Sequence, residues 1–123
     1  MTAPLPIGII GAGIMGERLL RAILDQPADL VAVAGVWDPS DVALTRIASA
    51  LPAIRTMPNP AALIAASECV YIASPPASHL GHARAALAAR KPVFCEKPLA
   101  VDVDQPNASF DIFLVPFQID WTE

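Results

Sequence analysis

The stretch GAGIMG, residues 11–16, constrains this chain more than any other because of what flanks it. Before it stands LPIGII (residues 5–10), a short apolar run that reads as a strand. After it, Ile14, Leu19, Leu20, Ile23 and Leu24 recur at helical spacing, with Glu17, Arg18 and Arg21 falling between them, until Pro27 stops the pattern. A second apolar run, LVAVAGVW (residues 30–37), follows and ends on Asp38. Three glycines spaced G-x-G-x-x-G between a strand and a helix, with a carboxylate ending the next strand about twenty residues on, form a dinucleotide-binding pattern. Gly11 permits the tight turn, Gly13 lets a diphosphate approach the backbone, and Gly16 lets helix and strand pack closely. Ile14 and Met15 fill the two positions before Gly16, and the helix that starts there offers free N–H groups and a positive dipole end to phosphates.

The rest of the chain repeats the alternation. LVAVAGVW, continuous in apolar residues and bounded by Asp29 and Asp38, reads as a strand covered on both faces. PSDVALTRIASAL reads as a helix with Ser40 or Asp41 near its start, stopped by Pro52. A weak strand is expected around residues 54–57. NPAALIAAS is a short helix capped by Asn59 with Pro60 in its first turn, ECVYIAS a strand, SHLGHARAALAAR a helix and PVFC a strand. Strand and helix in strict turn call for a parallel sheet with helical crossovers, the doubly wound α/β design. The expected organisation is a nucleotide-binding domain over residues 1–104 and a divergent apolar tail over 105–123.

Composition narrows the function classes. The 123 residues are 54% apolar and 16% charged, which favours a packed core over disorder. A net charge of −4 and the lack of any Lys/Arg run argue against a nucleic-acid surface, and the pair Arg90–Lys91 reads as a solvated helix end. No apolar run is long enough to span a bilayer and MTAPLPIGII lacks the basic start of a signal peptide, so a cytoplasmic protein is expected, without a membrane partner. Cys69 and Cys95 lie in apolar runs without metal-ligand spacing and read as two buried strand thiols; no metal site is expected.

Asp38 also speaks to the cofactor. Its carboxylate can accept hydrogen bonds from the adenosine ribose hydroxyls and would repel a 2′-phosphate. Pro39 and Ser40 follow it, with no adjacent Arg to bind that phosphate, so NAD is favoured over NADP. Capping of the following helix is the other role open to Asp38, and the two are compatible.

Taken together, GIIGAGIMG, Asp38 and SPPASHLGHARAALAARKPVFCEKPLA make the chain resemble the glucose–fructose oxidoreductase/inositol dehydrogenase (Gfo/Idh/MocA) family over roughly residues 5–104. The resemblance implies a Rossmann domain and hydride transfer between a nicotinamide cofactor and a sugar or polyol hydroxyl. It implies that Lys97 of the EKP tripeptide sits beside the nicotinamide, where it shares the proton of the reacting hydroxyl and stabilises developing negative charge. Glu96 would hold that lysine and favour its charged form. The family pattern further implies that the Lys97–Pro98 bond is cis. By the same resemblance the loop SPPASH passes over the cofactor, with Ser74, Pro75 and Pro76 near the diphosphate and nicotinamide ribose and His79 on the cofactor side. On the residues alone, His79 reads equally as packing for the loop, and His82, one turn on, as a solvated or packing residue.

The family's members run to more than twice this length and carry their substrate pocket in a second α/β domain, which is not recognisable in this chain. Residues 105–123 depart from the family pattern. FDIFLVPFQIDW is apolar on both faces and reads as an added strand pushed towards an edge by Pro116. Phe110, Phe113, Phe117 and Trp121 would need cover, either from their own domain or through self-association into a homo-oligomer. A non-catalytic dinucleotide-binding module or truncated pseudoenzyme is therefore the alternative to an active dehydrogenase.

Overall fold

The computed structural model describes residues 4–95. The expectations for Glu96, Lys97, the Lys97–Pro98 bond and the tail 105–123 lie outside them.

Four parallel strands, β1 (Leu5–Ile10), β2 (Val31–Trp37), β3 (Cys69–Ile72) and β4 (Val93–Cys95), form one sheet in the order β2-β1-β3-β4. The helices α1 (Ile14–Leu24), α2 (Asp41–Ala50), α3 (Pro60–Ala66) and α4 (His79–Ala88) make the connections. The doubly wound design read from the sequence is the one observed. Because successive side chains of a strand face opposite ways, β1 feeds two cores. Ile9 packs with Leu20 and Ile23 of α1 and Ile47 of α2, whereas Ile10 packs with Leu63 and Ile64 of α3 and Ala83 and Ala86 of α4. One helical pair thus covers each face of the sheet.

Local chemistry sets the helix ends. Ser40 caps α2, its Oγ accepting the Ala43 N–H at 3.2 Å, and Asn59 caps α3, its Oδ1 accepting the Ala62 N–H at 2.8 Å with Pro60 in the first turn. α1 ends at Leu24, before Pro27 is reached. α4 closes with Arg90 in the left-handed region (φ 60°). There the Lys91 N–H reaches the Ala86 carbonyl and the Arg90 N–H the Leu87 carbonyl, both at 2.9 Å, which is a Schellman closure with an arginine where glycine is usual.

Two expectations change. The weak strand at 54–57 is a single rung beside β2: Val36 N–H donates to the Arg55 carbonyl at 2.9 Å and Met57 N–H to the Val36 carbonyl at 2.8 Å, pairing Thr56 with Val36. The chain bends at Pro58 and Asn59 into α3, which ends the ladder there. In consequence β2 is less covered than its apolar run suggests, with Val31–Ala34 only half-buried and Gly35 and Val36 fully so. Cys69 is buried, and burial pushes its thiol up from the ordinary range, but Cys95 is only half-buried.

Candidate functional site

The chain leaves β1 towards β2 on one side and, later, enters β3 on the other, so the sheet order reverses between β1 and β3. Open α/β sheets bind ligands at the carboxyl ends of the strands at such a point. Here a cleft of about 410 Å³ opens there, lined by Gly11, Gly13, Ile14 and Met15 after β1, Asp38 and Pro39 after β2, and Ala73–Pro75 after β3.

The three glycines meet different surroundings. Gly11 has φ +116°, and a Cβ on it would lie 2.7 Å from the Ser74 amide nitrogen and Ala73 carbonyl carbon. Its N–H is tied to the Trp37 carbonyl at 2.8 Å. A Cβ on Gly16 would fall 1.9 Å from the Gly11 carbonyl oxygen, so α1 can rest on the loop only with hydrogen at that position. Gly13 is unlike both: a Cβ there meets nothing within 4 Å, and its φ of −80° suits any residue. The protein itself gives no steric reason for glycine at 13. Gly13 lines the cleft, where a diphosphate drawn against the backbone would supply one.

Helix α1 leaves its donors available. Its first helical bond runs from Glu17 N–H to the Gly13 carbonyl (2.9 Å), and Gly13 caps the helix without a side chain. The N–H groups of Ile14, Met15 and Gly16 therefore have no partner within the helix. Together with the dipole end they suit an anion, and Ile14 and Met15, both largely exposed, flank the entrance.

Asp38 is held firmly. Its Oδ2 accepts the Ala12 N–H and its Oδ1 the Ser40 N–H, each at 2.8 Å. Asp38 therefore anchors the glycine loop and the turn into α2, while Ser40 does the capping. A carboxylate accepts about four hydrogen bonds, so capacity remains for ribose hydroxyls.

Sequence reasoning missed Arg46, in α2. Its Nη2 donates to the Ala12 carbonyl at 2.8 Å and its Nη1 pairs with Glu17 of α1. Glu17 also takes Arg21 through Nε and Nη2 at 3.0 and 2.9 Å. The Arg46 bonds first, then Arg21, hold the Glu17 carboxyl below the ordinary carboxylate range. Arg46 stands 29 residues from Glu17, and no local pattern signals their meeting.

The loop after β3 is organised from behind. Ser74 lines the cleft with its backbone ordered: its carbonyl accepts from His79 Nε2 at 2.6 Å, and its Oγ lies 2.6 Å from Ser78 Oγ. Ser78 Oγ in turn donates to the Pro75 carbonyl at 2.7 Å, and Pro76 opens the 3-10 turn Pro76–Ser78 that leads into α4. His79 is 1% exposed. It lies behind the loop, in the packing role, and not among the residues lining the cleft. His82 packs edge-to-face on Trp37, ring centroids 5.8 Å apart. Burial, reinforced by the neighbouring charge of His79, holds its imidazole below the ordinary value of 6.5. Among the described residues, no group of three His, Cys, Asp or Glu is placed to hold a metal, and no helix is long and apolar enough to cross a membrane.

A doubly wound sheet, a glycine cradle at its switch point and a carboxylate closing β2 define a dinucleotide-binding domain. The model of the Gfo/Idh/MocA oxidoreductase family, NAD-binding Rossmann fold, matches residues 5–113, and the chain belongs to that family. It is 43% identical over 99 residues to an inositol 2-dehydrogenase of Acidothermus cellulolyticus, an alignment covering 76% of this chain and 28% of that protein. Among solved structures it is similar to myo-inositol 2-dehydrogenase of Lactobacillus plantarum, with TM-score 0.75, 26% identity and coverage of 89% of this chain and 32% of the other. It also shares its fold with GenD2 of gentamicin A biosynthesis, solved in complex with NAD, at TM-score 0.77, 23% identity and coverage of 92% and 32%. The chain thus spans about a third or less of the length of these relatives.

Proposed function

We propose that the cleft between β1 and β3 binds NAD and that the chain is the nucleotide-binding part of a dehydrogenase acting on a sugar or polyol hydroxyl. The single observation that carries the cofactor assignment is the open space at the Gly13 Cβ position, in a cleft lined also by the start of α1 and by Asp38. Those amides would grip the diphosphate, Asp38 would accept the adenosine ribose hydroxyls, and Ser74, Pro75 and Pro76 would border the nicotinamide half. NAD is preferred to NADP because the residue facing the ribose is an anion. Arg46, the cation nearest the loop, is already engaged by Glu17 and the Ala12 carbonyl. His79 would act on the cofactor only through the loop that it supports.

The relatives that are inositol dehydrogenases support a polyol as substrate. Bound at this site, nicotinamide supplies the hydride acceptor. Oxidising a carbinol carbon also requires its hydroxyl to lose a proton, and Lys97, positioned by Glu96, would hydrogen-bond that oxygen and, as the neutral amine, take the proton. NADH titration by fluorescence, followed by turnover assays with NAD and a panel of polyols beginning with myo-inositol, tests the two halves separately. NADH binding without turnover would leave a dinucleotide-binding module, and no binding at all would remove the cofactor assignment. Turnover that survived Lys97→Ala undiminished would remove the role given to Lys97. Exchanging Asp38 for Ser should narrow the preference for NADH over NADPH, by about tenfold or more for loss of one charge-assisted interaction with ribose.

A further inference from the structure

We propose that Arg46 is a positioning residue for the dinucleotide: by holding the Ala12 carbonyl it aims the Gly13 N–H into the cleft. This rests on the cofactor assignment above and concerns a residue outside the cleft lining.

The Ala12 carbonyl and the Gly13 N–H belong to one planar trans peptide, in which the two bonds point in opposite directions. A guanidinium that draws the carbonyl towards α2, at 2.8 Å, therefore turns the amide away from α2. Gly13 itself lines the cleft, and Arg46 does not. The peptide needs such a hold. Gly13 has no side chain whose packing could fix the orientation of the 12–13 peptide. The preceding peptide is fixed independently, because Asp38 Oδ2 takes the Ala12 N–H. Asp38 and Arg46 thus orient two successive peptide planes of the loop.

Arg46 is suited to this by its planar fork. One arm reaches the carbonyl while another pairs with Glu17, whose second partner, Arg21, keeps the carboxylate in place on α1. The hold therefore spans α2, the loop and α1. Arg46 is about half exposed, so its contribution lies in this geometry and not in core packing.

Titration of the wild-type chain, Arg46→Met and Arg46→Lys with NADH, NADPH, ADP-ribose and adenosine tests the inference, with melting temperature as the check on folding. The expected result for Arg46→Met is a loss of about tenfold for NADH and ADP-ribose, as for one charge-assisted contact. Adenosine, which has no diphosphate, should bind as to the wild type, and melting should be nearly unchanged. Arg46→Lys should recover part of the loss, since an ammonium can still reach the carbonyl. Undiminished NADH affinity in Arg46→Met would overturn the inference. So would an equal loss for adenosine, which signals a collapsed loop, or a loss confined to NADPH, which would make Arg46 a 2′-phosphate ligand. A wild-type chain that binds neither NADH nor ADP-ribose defeats the cofactor assignment, and this inference with it.

Discussion

The same added methyl group has opposite consequences at Gly11 and Gly13. At Gly11 alanine meets both a left-handed φ and backbone at 2.7 Å, so Gly11→Ala should cost roughly 1–3 kcal/mol or more of stability, read by denaturant unfolding. At Gly13 alanine fits the conformation and touches nothing, so Gly13→Ala should melt like the wild type. It should nevertheless weaken NADH binding by about tenfold or more, because the methyl group occupies the space a diphosphate needs. A variant that bound NADH normally would show that the space over Gly13 is not the diphosphate site. His82 carries a pH dependence of its own. Above its ordinary value of 6.5 the imidazole is neutral in both states. Below it the unfolded chain takes up the proton first, because the folded value is lower, and stability falls until the folded value is passed. His82→Gln should flatten that decline in urea midpoints measured between about pH 7 and 5.

At the scale of elements, most boundaries were legible because their causes are local. β1 is Leu5–Ile10, as its apolar run suggested, and Ser40 and Asn59 cap their helices through side-chain oxygens three residues from the amides they serve. The place of the rung at Thr56 was legible but its length was not, because how far a short apolar stretch pairs depends on how much ladder its neighbour offers. Here the bend into α3 limits it to one position. The Arg90 closure of α4 was also hidden, since that residue read simply as a solvated helix end. An arginine at φ 60° is held there by the two closing hydrogen bonds, against its own preference. Arg90→Gly should stabilise the domain by about 0.5–1 kcal/mol, seen as a raised melting temperature. No gain would mean that the arginine side chain supplies a compensating contact.

For the whole molecule, ligand binding and stability are one measurement. If the cleft binds the dinucleotide only when the sheet and its crossovers are formed, NADH at a hundred times its dissociation constant should add about 2.7 kcal/mol to unfolding. The melting temperature should then rise with ligand concentration, and a melting temperature indifferent to NADH would contradict the assignment. The stabilisation should shrink in Gly13→Ala, whose cradle is blocked although its fold is intact.

Periodicity, glycine spacing, proline stops and capping residues act over a few positions, and the sequence by itself therefore determined the alternation of strand and helix, the parallel sheet and the place of the cradle. It also singled out Asp38, because a carboxylate at the end of the second strand is a positional signal. Only the tertiary structure decided what that carboxylate holds and that Arg46 joins it. Asp38 lies 26 residues from Ala12 and Arg46 lies 34 away, and such contacts exist only once two crossovers have brought α1, α2 and the loop together. The same holds for His79: its proximity to the site follows from the chain order, but its turn towards the Ser74 carbonyl is set by packing around it.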